Sequence, residues 1–139
     1  MTAFPKKYTP GSGPPEVVAL VNRLLPLLLA GDHPTLGVLR EQLRRARIGS
    51  IELSGVGFFA DIEVPPDAPK ADPPNITGGD AVIELTGVEH AAGCVLFVRD
   101  GYLSMLEGFT YADEWSEDAK VLDVKDVFPI HPGGKSGAG

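Results

Sequence analysis

Near Ile48 the spacing of apolar residues changes from three-and-four to two, and it does not change back. This switch constrains the chain more than any motif in it. Helices gathered before the switch and strands gathered after it cannot build the alternating βαβ units of a parallel sheet. The expected architecture is α+β, with two N-terminal helices packed on one face of a mostly antiparallel sheet of about five strands. A chain of 139 residues, 43% of them hydrophobic, can bury such a core as one domain without disulfides.

Before the switch, a first helix is expected from about Pro15 to Ala30. Val17, Leu20, Val21, Leu24 and Leu28 form its stripe, and Leu25 and Leu29 widen it. Pro26 removes a backbone donor there, which predicts a kink or an early end. Asp32 or the turn His33-Pro34-Thr35 starts a second helix, reaching about Arg47 with the core stripe Leu36, Leu39, Leu43 and Ala46. Residues 1–14 lack periodicity and carry three prolines, so they are expected to be a disordered arm. That leaves a domain over 15–128 and a flexible tail over 129–139.

After the switch, Ile51 and Leu53 alternate with Glu52 and Ser54. Phe58, Ala60, Ile62 and Val64 then alternate with Phe59, Asp61 and Glu63. Residues 67–79 carry three prolines and read as a loop. In the next strand Ala81, Ile83 and Leu85 lie opposite Val82 and Glu84. Gly93–Arg99 and Tyr102–Glu107 flank Asp100-Gly101, a dipeptide suited to a two-residue hairpin turn. Val121–Phe128 is expected as a last edge strand.

Charge and motifs narrow the function classes. Residues 1–49 hold seven Lys/Arg against three Asp/Glu, and residues 50–139 hold five against sixteen. A nucleic-acid binder needs a dominant basic face, so nucleic acid is not an expected partner, and Arg40, Arg44, Arg45 and Arg47 read as a solvated helix face. Lys6 and Lys7 precede an apolar run, but Asn22 and Arg23 interrupt it. It is also too short to span a bilayer, so a cytoplasmic protein without membrane attachment is expected. The lone Cys94 excludes an internal disulfide and a multi-cysteine metal site, and its apolar neighbours suggest a small buried residue. Gly55-Val56-Gly57-Phe58-Phe59-Ala60 matches the dinucleotide fingerprint in letters. A strand follows it, however, where phosphate binding needs a helix N-terminus. Gly133-Gly134-Lys135-Ser136 lacks the first glycine of a P-loop. His33, His90 and His131 are isolated, and the carboxylates around Trp115 do not follow a calcium-loop spacing. No catalytic residue, cofactor or metal is therefore expected.

The sheet face turned away from the helices carries the interaction reading. Phe59 and Phe97 stand among Asp61, Glu63 and Glu84, which resembles an interface core inside an acidic rim. Trp115, in its charged segment, either pins that segment to the core or waits for a partner. The expected partner is a protein, of basic character, and a homodimer is one form it could take. The alternatives are that Arg99 neutralises the carboxylates while a C-terminal segment covers the phenylalanines. From a different class, Glu107 and Tyr111 could line the pocket of a small-ligand binder or an enzyme.

The segments Leu53–Phe59, Val95–Leu103 and Leu-Glu-Gly-Phe-Thr-Tyr (106–111) resemble those of a group of small bacterial α+β proteins of uncharacterised function, over roughly Leu36–Asp118. The resemblance implies a fold and brings no activity with it. Some small acidic proteins of this type look like immunity proteins that neutralise toxins. An immunity-like module directed at a basic toxin is the sharpest form of the expectation.

Overall fold

The computed structural model describes residues 4–132. Two helices, α1 (Pro15–Leu28) and α2 (Pro34–Arg45), accompany eight strands. The strands are β1 (Lys6–Lys7), β2 (Arg47–Leu53), β3 (Gly57–Glu63), β4 (Ile76–Gly78), β5 (Asp80–Leu85), β6 (Gly93–Arg99), β7 (Tyr102–Phe109) and β8 (Val121–Phe128). Six of them form one sheet in the order β1-β2-β3-β7-β6-β4, and β5 pairs with β8 in a second. All pairings are antiparallel. The α+β expectation holds, with more strands than expected and with β1 ahead of both helices.

The period-two pattern sets the faces. Ile51, Leu53, Phe58, Ala60, Ile62, Leu96, Val98, Leu103 and Leu106 point inward and form one core with the buried stripes of α1 and α2. The hairpin turns at Asp100 and Gly101, with φ of 54° and 87°, the two positive values that the short turn requires.

Residues 67–79, expected as a loop throughout, contain β4. Gly78 pairs with Leu96, and the same strand path resumes where Ile83 meets Ala92. Between them the chain bends at Gly79, whose φ of +82° is natural only for glycine. At the bend the Asp80 carboxylate accepts the Cys94 amide at 3.2 Å, where a regular ladder would offer a backbone carbonyl. The bend carries β5 and β8 towards α1, which is held at both ends. Glu16 accepts the Val121 amide at 2.8 Å, and the Leu28 carbonyl accepts the Ile130 amide at 3.0 Å.

The N-terminal segment corrects the expectation of a disordered arm. Lys6 and Lys7 pair with Leu53 and Glu52, and the Tyr8 amide donates to the Ile51 carbonyl at 2.8 Å. An open edge of β2 offers unpaired backbone groups, and its pull outweighs the proline-rich composition. Lys6 Nζ binds the Glu117 carboxylate at 2.6 Å, and the Tyr8 hydroxyl donates to the same oxygen. At the other end Ile130 and Pro132 are buried, while the remainder of the expected tail, 133–139, lies outside the described residues.

The helix ends follow from side-chain chemistry. His33 caps α2, its Nδ1 accepting the Thr35 amide at 3.1 Å. The helix stops at Arg45, short of the expected Arg47, because Arg47 already pairs with Glu63 across β2 and β3. α1 continues past Pro26 for only two residues. Its end is capped by Arg40, which donates to the Leu29 and Gly31 carbonyls at 2.6 and 3.0 Å.

One buried polar side chain joins the helices, the Pro-rich segment and the hairpin. Gln42, 0% exposed, donates through Nε2 to the Pro69 and Gly101 carbonyls at 2.8 and 2.7 Å. Its Oε1 accepts the Leu103 amide at 2.9 Å. Replacing it by an apolar residue leaves the buried Leu103 amide and the part-buried Pro69 carbonyl without their partner, each costing of the order of 1–3 kcal/mol. The Gly101 carbonyl keeps the Ala71 amide at 2.8 Å. Gln42→Leu is expected to lower unfolding stability by about 3 kcal/mol in a urea titration. It should also open residues 65–75 to limited proteolysis, while Arg44→Leu, on the exposed side of α2, leaves both unchanged.

Candidate partner-binding face

The site starts from two glycines. A methyl group on Gly108 would sit 2.2 Å from the Phe58 ring, and one on Gly57 would sit 1.9 Å from the Gly108 carbonyl oxygen. Neither space exists for any larger residue. The Phe58 ring packs over Gly108 and meets Trp115 edge to face, with centroids 5.3 Å apart at 89°. The Trp115 amide donates to the Gly55 carbonyl at 2.9 Å, and the Thr110 amide donates to that of Val56 at 2.8 Å. The Gly55–Gly57 turn is thereby locked to residues 110–115. The Gly-x-Gly segment that mimics a dinucleotide fingerprint serves this close approach of β3 and β7.

With that lock in place, the outward residues of four strands fall into register. One row runs Glu52, Phe59, Glu107, Val95 across β2, β3, β7 and β6. The next runs Asp61, Met105, Phe97, Thr77 across β3, β7, β6 and β4. A third places Phe109 between Gly57 and Gly93, and its ring covers Gly93. Residues facing one another in such rows lie about 5 Å apart at Cβ, so the side chains touch. Phe59, Val95, Phe97, Met105 and Phe109 are each half-buried, and none of them joins the core that the helices fill.

Each residue expected at a site has a definite place. Phe59, Asp61, Phe97 and Glu107 share this outer face. Glu63 lies at its margin and pairs with Arg47 at 2.8 Å. Glu84 belongs to the β5–β8 sheet and pairs with Lys125 at 3.0 Å, outside the rows. Trp115 is 2% exposed, so it pins its segment to the core and offers nothing to a partner. Among the described residues Glu107 lies in a row across the sheet, with Phe59 and Val95 beside it, and Tyr111 is 64% exposed with its ring against that of Phe109. A cleft of about 180 Å³ lies elsewhere, lined by Leu25, Pro26, Leu43 and Ile48 among others.

Val95, Met105 and Phe109 complete the apolar patch and were not among the expected site residues. For Val95 and Phe109 the signal is present in the sequence as the period of two along β6 and β7, whereas for Met105 it is not. A register shift between Phe97 and Val98, opposite Ser104, moves Met105 outward even though Leu103 points inward.

Cys94 lies under this face, buried beside the Asp80 bend. Burial first, and the Asp80 charge second, push its thiol up to about 12 from an ordinary 9.0. Burial also raises the Tyr111 hydroxyl, with the Asp80 charge adding to it. A thiol whose folded value lies above its unfolded one holds a proton that the unfolded chain releases, so stability falls as pH rises from about 9 towards 12. This alkaline loss should be smaller in Cys94→Ala when thermal melts are compared across that range. A disulfide-exchange reagent should leave native Cys94 unmodified and react with it fully in concentrated guanidinium.

The Phe58–Gly108 contact gives a separate test. Gly108→Ala is expected to cost about 3 kcal/mol through overpacking, measured by urea unfolding. Phe58→Leu should recover part of that loss in the double variant, because it removes the ring edge that the new methyl group meets.

No family model, curated protein or solved structure matches the chain, so the reading of this face rests on its geometry.

Proposed function

We propose that the protein is a non-catalytic binding module that takes a protein partner on the outer face of its six-stranded sheet. The observation that carries this is the patch of Phe59, Val95, Phe97, Met105 and Phe109, contiguous in register and outside the core. Isolated apolar residues on a surface need no explanation, but five in one patch over three adjacent strands mark an interaction surface. Aromatic residues and methionine are the types enriched at interface centres, and the carboxylates of Glu52, Asp61 and Glu63 form a polar margin. An immunity-like role, in which this face covers a basic toxin, is the sharper form of the reading. It accounts for both the apolar centre and the sign of the margin.

The test uses the full chain as bait, with two variants shown by circular dichroism and thermal melting to be folded. Phe59→Ser with Phe97→Ser alters the face, and Leu122→Ser with Phe128→Ser alters exposed apolar residues on β8. A partner identified by mass spectrometry is then purified and titrated calorimetrically against all three proteins. The face variant is expected to bind at least about tenfold more weakly, as removal of a central aromatic anchor does, and the β8 variant is expected to bind as wild type. Undiminished binding by the face variant, or a loss confined to the β8 variant, overturns the proposal.

A further inference from the structure

We infer that the partner presents a lysine or arginine, flanked by apolar side chains, to the carboxylate of Glu107. This inference rests on the binding face proposed above and names the chemistry that the face selects.

Glu107 occupies the centre of the patch. Phe59 and Val95 stand beside it on the neighbouring strands, and Met105 and Phe109 stand two residues away along its own strand. Among the described residues no cation pairs with it. Arg99 is the cation of the same face, and it is committed elsewhere. It stacks on Phe97 at 5.1 Å and donates to the Ile76 and Val98 carbonyls and to the Thr77 hydroxyl. It also lies four residues along β6 from Val95, roughly 13 Å away. Lys7 sits three strands across from Glu107, roughly 14 Å away, beyond a Debye length at physiological salt.

Covering the patch therefore takes the Glu107 carboxylate out of water with no cation among the described residues to receive it. A buried carboxylate without a partner costs several kcal/mol, so an apolar surface alone is rejected. A second copy of the chain is rejected too. A two-fold dimer whose axis passes near Glu107 would bring the two Glu107 carboxylates together and add Glu52 and Asp61 of both copies to the same covered face. A partner whose cation reaches Glu107 while its apolar neighbours meet Phe59, Val95 and Met105 satisfies both requirements.

The probe is a short blocked peptide, acetyl-Leu-Val-Arg-Val-Phe-amide, compared with the same peptide carrying citrulline, which keeps the shape and loses the charge. Both are titrated into the full-length protein while amide cross-peaks are followed by NMR. The arginine peptide is expected to shift the cross-peaks of Phe59, Val95, Met105 and Glu107, and to bind at least about fivefold more tightly than its citrulline analogue. Glu107→Gln should erase that difference, whereas Glu84→Gln, on the other sheet, should keep it. Equal binding of the two peptides at this face overturns the cation inference and leaves the face standing. Shifts confined to other residues, or none, overturn both. Concentration-dependent shifts at the face without peptide place a second copy there and overturn the inference as well.

Discussion

The fit of the Phe58 ring over Gly108 is the contact on which the rest of this molecule depends. It works only because Gly108 has no side chain, and because Gly57 lets the Gly108 carbonyl come close on the other side. Once β3 and β7 meet at that distance, Trp115 has a ring edge to pack against and a carbonyl, that of Gly55, to bind. The segment it belongs to is then anchored, and Glu117 two residues on can hold the N-terminal strand through Lys6 and Tyr8. One steric constraint in the middle of the sheet thus reaches the turn at Gly55, the acidic segment and the chain's first described strand.

The same constraint shows what the sequence made legible and what it did not. Periodicity separated helices from strands, assigned inward and outward residues on β2, β3 and β5, and placed the hairpin at Asp100-Gly101. These are local signals, written within a few residues of where they act. What escaped reading was set by distant partners. β1 exists because an unpaired edge of β2 waits some forty residues further along the chain. β4 lies in a proline-rich segment because β6 offers it a ladder and Gln42 satisfies the carbonyl of Pro69. Trp115 reads as ambiguous in isolation, since its burial depends on the two glycines that bring Phe58 beneath it.

The candidate face was half legible for a related reason. Phe59, Asp61 and Phe97 follow from alternation alone, while the outward turn of Met105 needs the register shift opposite Ser104, which no local residue signals. Glu107 shows the limit most clearly. Its residue type suggested a pocket acid, and only the register reveals an open row with phenylalanine on one side and valine on the other. The proposed interface role of Glu107 therefore rests on what surrounds it, not on its residue type.

Charge, finally, is sorted by use. The basic surplus of residues 1–49 is largely consumed inside the fold: Arg40 caps α1, Arg45 pairs with Asp67, Arg47 with Glu63 and Lys6 with Glu117. Those pairs are mostly exposed and each contributes little stability, yet together they remove cations from the surface that a partner would meet. Among the described residues Asp61 and Glu107 receive no such neighbour, and the arginines of α2 are spent elsewhere: Arg40 on the end of α1, Arg44 on Glu41 and Arg45 on Asp67. An arrangement serving stability alone would place one of those cations beside Glu107. Leaving the carboxylate open instead makes the patch unfavourable to itself and to uncharged apolar surfaces, and favourable to a surface that brings its own positive charge.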